Sequence, residues 1–325
     1  MKALRFVGDS AARVEEIPVP EIGPDEVLVA ARTVGVCHSD IELLEGRYII
    51  PFTYPLIPGH EWAGEIVAAG SAVTGFREHD RVVGECVIGA DHFGFSISGA
   101  AAEYFVARPE WLHRLPDSMS WTQGALVEPF SCGYHATRRA GDLDASDTVA
   151  VLGAGPIGLG VVAAAVGRRA RVIVAEPNAD RADLARRLGA EVCLDPTADG
   201  FVDDVMEHTG GRGADVVIEA SGKPSAMAAA LEIAAFRARL VNVGIDVGGS
   251  APARLGLIQS KELQVRGTIG SPGVWPQTLR FLARTGVDLS PLVTTCVPLA
   301  EADKAVELAR TDRDQVKVHI TMEQA

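Results

Sequence analysis

The chain has 325 residues, 47% hydrophobic and 22% charged, a composition that fits an ordinary soluble globular protein of about two domains. Its net charge of −13 excludes a nucleic-acid partner as the working expectation, because phosphate binding needs a basic surface. The five scattered cysteines (Cys37, Cys86, Cys132, Cys193 and Cys296) do not make a disulfide framework and fit a reducing, cytoplasmic setting.

Met1 leads into a charged, strand-like start, so no signal peptide is expected. Residues 1 to about 125 read as β-rich. Short runs such as Glu26–Ala31, Ala63–Ala69 and Arg81–Val83 are broken by Gly, Pro and Asp. Pro18, Pro20, Pro24, Pro51, Pro55 and Pro58 suit loops and strand ends. Two polar clusters stand in this segment: Gly35 to Asp40, and Pro58 to Gly64. Taken singly, Cys37 reads as a small buried hydrophobe, His60 as a loop histidine and Glu61 as a solvated charge. Together they offer a thiolate, an imidazole and a carboxylate, the donor types zinc accepts. Their separation suits a catalytic site better than a short-spaced structural knot.

From Glu85 to Ala102, Phe93, Phe95 and a Gly/Ser-rich run suggest a covering loop. Cys86 and His92 lie within it, but two ligands without partners do not make a metal site. Trp121 to Ala140 has helical character. It places Glu128 in an apolar setting with Ala125, Leu126, Val127 and Phe130, where a carboxylate either finds a partner or serves a helix dipole.

The stretch Thr148–Glu176 reads strand, glycine turn, helix, strand, acid. Gly153 permits the tight turn, Gly155 admits a pyrophosphate to the backbone, and Gly158 lets helix pack on sheet. Pro156 suits the first helical turn, with Ile157 beside it, and the helix start attracts phosphate. Glu176 sits where a carboxylate accepts from an adenosine ribose diol and repels a 2′-phosphate, so NAD is expected over NADP. Arg168, Arg169, Arg171 and Arg181 work against that preference. Val149–Gly167 is uncharged and long enough for a membrane span, but its glycines and the prompt return to a strand argue against one.

The α/β rhythm then continues. Helices are expected at Ala179–Leu188, Phe201–Thr209, Ser225–Ala235 and about Trp275–Arg284. Strands are expected at Glu191–Leu194, Asp215–Ala220, Arg239–Val243 and Leu263–Gly267. Alternation of this kind implies a doubly wound parallel sheet. Its strand ends should bring Ser221, Val243, Gly244, Ile245 and Ile269 near a cofactor. The tail holds a short helix, Ala300–Ala309, and a closing strand, Val316–Ile320, that returns to the first domain.

Cys37 with Ser39 and Asp40, Gly59-His60-Glu61, Glu128-Pro129 and Gly153-Ala154-Gly155-Pro156-Ile157-Gly158 stand in this order. The set resembles the zinc-dependent medium-chain dehydrogenase/reductase family over nearly the whole chain. Within it, Val127–His135 is most similar to the polyol branch around sorbitol, threonine and aminocyclitol dehydrogenases. The resemblance implies an α/β fold: a Rossmann doubly wound parallel sheet over 129–286, and a β-rich GroES-like catalytic domain over 1–128 and 287–325. It implies NAD(H) and one catalytic zinc on Cys37 and His60, with Glu61 or Glu128 as the third ligand and both carboxylates acting in catalysis. Ser39 would begin a proton relay, Asp40 would hold the His60 ring, and Arg181 would reach the adenosine ribose.

Three departures from the family pattern matter. The lobe that carries a structural zinc in relatives is here the short Glu85–Ala102 segment with one cysteine, so no structural zinc is expected. Glu42 stands where many relatives have the histidine that ends the proton relay. Gly270 and Ser271 replace the arginine and tyrosine of sorbitol-specific relatives, which argues against sorbitol itself. The expected activity is hydride transfer between NAD and a secondary alcohol or ketone of a polyol, sugar or aminocyclitol. The acidic residues Glu42, Glu61 and Glu128 would tolerate an amino group on that substrate. Neither a nucleic acid nor a membrane is an expected partner. The resemblance implies a homodimer or homotetramer, with Arg254–Val265 as a contact. The rival readings are a zinc-free NADPH-dependent quinone or enoyl reductase, and a dinucleotide-binding protein without turnover.

Overall fold

The structure is a computed structural model and describes residues 1–322, so residues 323–325 of the expected catalytic domain lie outside the described residues. The chain forms two compact units, Met1–Glu128 with Trp275 onward, and Pro129–Val274. The expected boundary at 286/287 therefore moves: helix Trp275–Thr285 groups with the first unit. It buries Trp275, Thr278, Leu279 and Leu282, and the Trp275 ring stacks on His113 with centroids 5.5 Å apart. An α/β rhythm shows that a helix follows a strand, but not which core receives its apolar face.

The first unit is built on a seven-stranded sheet. Strand Val27–Val36 is its hub, pairing antiparallel with Glu61–Ala69, Tyr104–Ala107 and Lys317–Thr321. Val27, Val29, Val34, Ile66, Val82, Val318 and Ile320 send fully buried side chains into one core. Each contributes on the order of 1.5–3 kcal/mol by leaving water. Strand Val293–Pro298, which sequence reasoning missed, pairs parallel with Lys317–Thr321 at the sheet edge. Its run of Val, Thr, Thr and Cys shows no apolar alternation to reveal it.

The second unit is a six-stranded, wholly parallel sheet. Its strands run in the order Val192–Leu194, Arg171–Ala175, Thr148–Leu152, Ala214–Glu219, Ala234–Asn242, Gln264–Gly267. That is the doubly wound order 3-2-1-4-5-6, whose reversal between the first and fourth strands marks the ligand edge. Every residue of Thr148–Leu152 is buried, as befits a central strand covered on both faces. The uncharged Val149–Gly167 run divides into this strand, a turn and helix Pro156–Val166. Among the described residues, no helix is long and apolar enough to cross a membrane.

Candidate metal centre and dinucleotide cradle

In the first unit, Cys37 follows the hub strand and caps helix His38–Leu44, a helix not anticipated from the polar Gly35–Asp40 cluster. His60 lies at the start of the neighbouring strand, whose first residue is Glu61. The turn before them needs Gly59, which has φ +98° and where a Cβ would meet Val34 Cγ1 at 2.8 Å. One ligand atom from each of Cys37, His60 and Glu61 lies within 4.8 Å of the others. His60 is 4% exposed and Glu61 1%.

Asp40 ties two of the three together. Its Oδ2 accepts from the Cys37 backbone N–H at 2.8 Å, and its Oδ1 lies 3.5 Å from His60 Nδ1. With Nδ1 turned to a carboxylate, Nε2 is the nitrogen left for a metal. Burial opposes a charge on His60, but the Asp40 carboxylate and the Cys37 thiol outweigh it and raise its pKa well above the usual histidine range.

Glu61 lies opposite Gly35 across the sheet, and a Cβ at Gly35 would come within 2.3 Å of Glu61 Oε2. The carboxylate lies back over that glycine to meet Lys317, a residue the sequence reasoning did not single out. Lys317 Nζ donates to Glu61 Oε1 at 2.7 Å and to the Val36 carbonyl at 3.2 Å. Burial works against this cation, but Glu61 first, then Cys37, push its pKa up to about 12. Glu61 Oε2, which also lies 2.7 Å from Lys317 Nζ, is buried and accepts no hydrogen bond of its own among the described residues. A carboxylate beside a thiol and an imidazole is a donor set that suits zinc.

Glu128, half-buried in the first turn of helix Val127–Arg139, stands outside the group of three. Its charge still acts on Lys317 and on Cys86. Ser39 is half-buried in the first turn of the Cys37-capped helix. The Glu85–Ala102 segment forms a two-stranded hairpin and buries Phe93 and Phe95. Phe95 packs on the His60 ring at 4.6 Å. Cys86 Sγ reaches only the Phe93 carbonyl, at 3.7 Å. Among the described residues, Cys37, His60 and Glu61 are the one such group of possible ligands.

In the second unit, Gly153 has φ +98° and packs against Ser221, where a Cβ would lie 2.9 Å from the serine's own. A Cβ at Gly158 would fall 1.9 Å from the Gly153 carbonyl oxygen, so only glycine permits this helix to start so close to the turn. A Cβ at Gly155 would meet nothing within 4 Å and would instead fill the space beside the helix start. That open cradle at the N-terminus of Pro156–Val166 suits a pyrophosphate.

Glu176 is tied to the turn. Its Oε2 accepts from Ala154 N at 2.7 Å and its Oε1 from Asn178 N at 3.0 Å. Arg181 lies in the first turn of helix Ala179–Arg187, which Asn178 caps through the Arg181 N–H. Sequence reasoning missed Glu219, fully buried at the end of the fourth strand in sheet order. Its Oε1 accepts from Ser221 N, Ser221 Oγ and Gly222 N at 2.8, 2.5 and 3.1 Å. Burial raises its pKa against the pull of these donors. Val243 and Gly244 donate their backbone N–H groups to the Glu219 carbonyl. Glu219 thus holds Ser221, Val243 and Gly244 at the strand ends. The signal that could have found it is an acid closing an apolar strand just before a serine and a glycine. Ile245 and Ile269 are exposed by 57% and 62%. Ser271, by contrast, is buried and bonded to Ser131 Oγ at 2.6 Å.

The sequence profile of the alcohol dehydrogenase GroES-like domain matches residues 23–117, and that of zinc-binding dehydrogenases matches residues 156–284. The sorbitol dehydrogenase of Bacillus subtilis is 32% identical, over 95% of this chain and 93% of its own. The scyllo-inosose 3-dehydrogenase of Thermotoga maritima is 31% identical, over 94% of this chain and 89% of its own. Among solved structures, 2R,3R-butanediol dehydrogenase from Bacillus subtilis superposes with a TM-score of 0.90 at 29% identity, covering 98% of this chain and 99% of that one. A zinc-binding dehydrogenase from Sinorhizobium meliloti bound to NADP superposes at 0.91 and 27% identity, with 98% of each chain covered.

Proposed function

The chain belongs to the zinc-binding, GroES-like alcohol dehydrogenase family, oxidoreductases acting on CH–OH groups, and we propose that its reaction is NAD-dependent interconversion of a secondary alcohol and ketone on a polyol, sugar or aminocyclitol. The observation that carries this reading is the Cys37–His60–Glu61 trio, half-buried at Cys37 and buried at His60 and Glu61, whose ligand atoms lie within 4.8 Å of one another. The relatives named for polyols and cyclitols support the substrate class. Gly270 and Ser271 favour a substrate other than sorbitol.

In this reading Cys37, His60 and Glu61 hold one zinc, and the cradle at Gly155 holds NAD. When bound, zinc supplies Lewis acidity that lowers the pKa of a substrate hydroxyl, and the nicotinamide supplies the hydride acceptor. The protein's own part is orientation and proton handling. Asp40 fixes the His60 ring and the Cys37 backbone, and Lys317 holds the Glu61 carboxylate in place beside them. Ser39 Oγ begins the proton relay: it accepts the hydroxyl proton as the substrate ionises and gives up its own toward solvent. Glu128 presents a second carboxylate beside the reacting hydroxyl. Glu176 braces the glycine turn and disfavours a 2′-phosphate by charge, so NAD is preferred over NADP.

Metal content per chain, read with fluorescence titrations of NADH and NADPH on the same sample, tests this. One zinc, tighter NADH binding and turnover of polyols or cyclitols are expected. A zinc-free protein that binds NADPH tightly would sink the reading. The homodimer or homotetramer belongs to the same proposal. Leu255 and Val265 near the Gln264–Gly267 edge strand are exposed by 63% and 42%, and solution mass tests it.

A further inference from the structure

The loop between helix Glu42-bearing His38–Leu44 and Pro58 is held in place by specific bonds. Tyr54 Oη donates to the Leu43 carbonyl at 2.5 Å, and Arg47 N donates to the Glu42 carbonyl at 2.8 Å. These contacts fix Tyr48. Its ring lies nearly parallel to Phe95, 16° apart with centroids at 4.4 Å. The Phe95 ring in turn packs against His60 at 4.6 Å. Phe95 comes from the Glu85–Ala102 segment, so this short segment supplies the middle of a row of three rings, stacked on Tyr48 and tilted against His60.

Tyr48 is half-buried and packs against the first unit's core. Among the described residues its hydroxyl makes no hydrogen bond, whereas Tyr54 uses its own to hold the loop. Through Phe95, which touches both rings, Tyr48 lies one side chain away from His60. Burial keeps the phenol protonated, so it offers one donor and acceptor lone pairs throughout the neutral range.

We propose that Tyr48 is a specificity-determining residue whose hydroxyl hydrogen-bonds a second hydroxyl of the substrate, next to the carbinol that is oxidised. This deepens the polyol reading and rests on it. Phe95 lies between the Tyr48 ring and His60, and the phenol oxygen offers an unspent bond to a neighbouring hydroxyl. A mono-alcohol has no group to use it; a vicinal diol, sugar or cyclitol does.

The probe pair is butane-2,3-diol and butan-2-ol, which differ by one hydroxyl. Tyr48→Phe keeps the ring stack and removes only the phenol oxygen. With zinc content and melting temperature as controls, kcat/KM for the diol should fall by about 3- to 10-fold, mostly through KM, as expected for one neutral hydrogen bond. Butan-2-ol should change by less than about 2-fold. Direct binding of the diol to the zinc-loaded enzyme with NADH, followed by cofactor fluorescence, should weaken in parallel. Equal losses on both alcohols, or no loss on the diol, overturn the role of Tyr48 and leave the polyol reading standing. A zinc-loaded wild type that oxidises butan-2-ol as efficiently as any polyol overturns both.

Discussion

Lys317 and Glu61 lie 256 residues apart in sequence, yet Nζ and Oε1 meet at 2.7 Å with both side chains out of solvent. The pair explains how a carboxylate can be tolerated at 1% exposure. Replacing Lys317 by Met leaves a buried charge unmatched, which typically costs about 3–5 kcal/mol. The loss should be larger in metal-free protein than in zinc-loaded protein, since zinc matches the same charge. Urea denaturation of both forms checks this; identical losses would show that Glu61 does not face the metal.

Asp40 acts on Cys37 and His60 at once. Asp40→Asn retains the shape and removes the charge that steadies the imidazole. Zinc affinity, measured by competition with a chromogenic chelator, is expected to weaken about 10- to 100-fold. An unchanged affinity would leave Asp40 as a helix-capping group alone.

Glu176 braces the turn at Ala154, and in the proposed function it also confronts the cofactor ribose. Glu176→Ala should raise KM for NAD and narrow the preference over NADP, leaving zinc content untouched. Steady-state kinetics with both cofactors reads the result, and unchanged discrimination would remove the second task.

His319 is fully buried, and among the described residues neither ring nitrogen has a hydrogen-bond partner. Burial first, and then the Lys317 charge, lower its pKa from 6.5 to about 3. Below the unfolded value the unfolded chain takes up a proton that the native imidazole refuses. The stabilising contribution is therefore present above pH 6.5 and is lost as pH falls toward 3. Its full loss is on the order of 5 kcal/mol. His319→Met should flatten the acid limb of the stability curve and raise stability at neutral pH, because it removes two unmatched polar atoms. Denaturant midpoints between pH 4 and 8 decide it; parallel curves for wild type and variant would count against it.

What could be read from the sequence was what lies close along the chain. Cys37, Ser39 and Asp40 share one turn, His60 adjoins Glu61, and the glycine turn carries its own spacing, so each declares its chemistry locally. The doubly wound sheet was legible for the same reason, because every strand meets its helix within a few residues. Lys317 was not legible. In the run Val316–Ile320 it reads as the solvent face of an alternating strand, and only pairing with Val27–Val36 turns that face toward Glu61. Glu219 was hidden by resembling an ordinary strand end, although its partners Ser221, Val243 and Gly244 were anticipated. The zinc-free and non-catalytic rivals find no support among the relatives, whose names are polyol and cyclitol dehydrogenases.

The hub strand Val27–Val36 is closed on one side by a strand that the ribosome makes much later. Lys317 follows its acceptor Val36 by 281 residues, an interval of about 15–55 s at ordinary elongation rates. Throughout that interval Cys37, His60 and Glu61 already exist, while the cation that matches Glu61 does not. The hub strand meanwhile keeps an unpaired, mostly apolar edge of the kind that invites intermolecular pairing. A zinc ion captured by the nascent chain would neutralise Glu61 before Lys317 arrives.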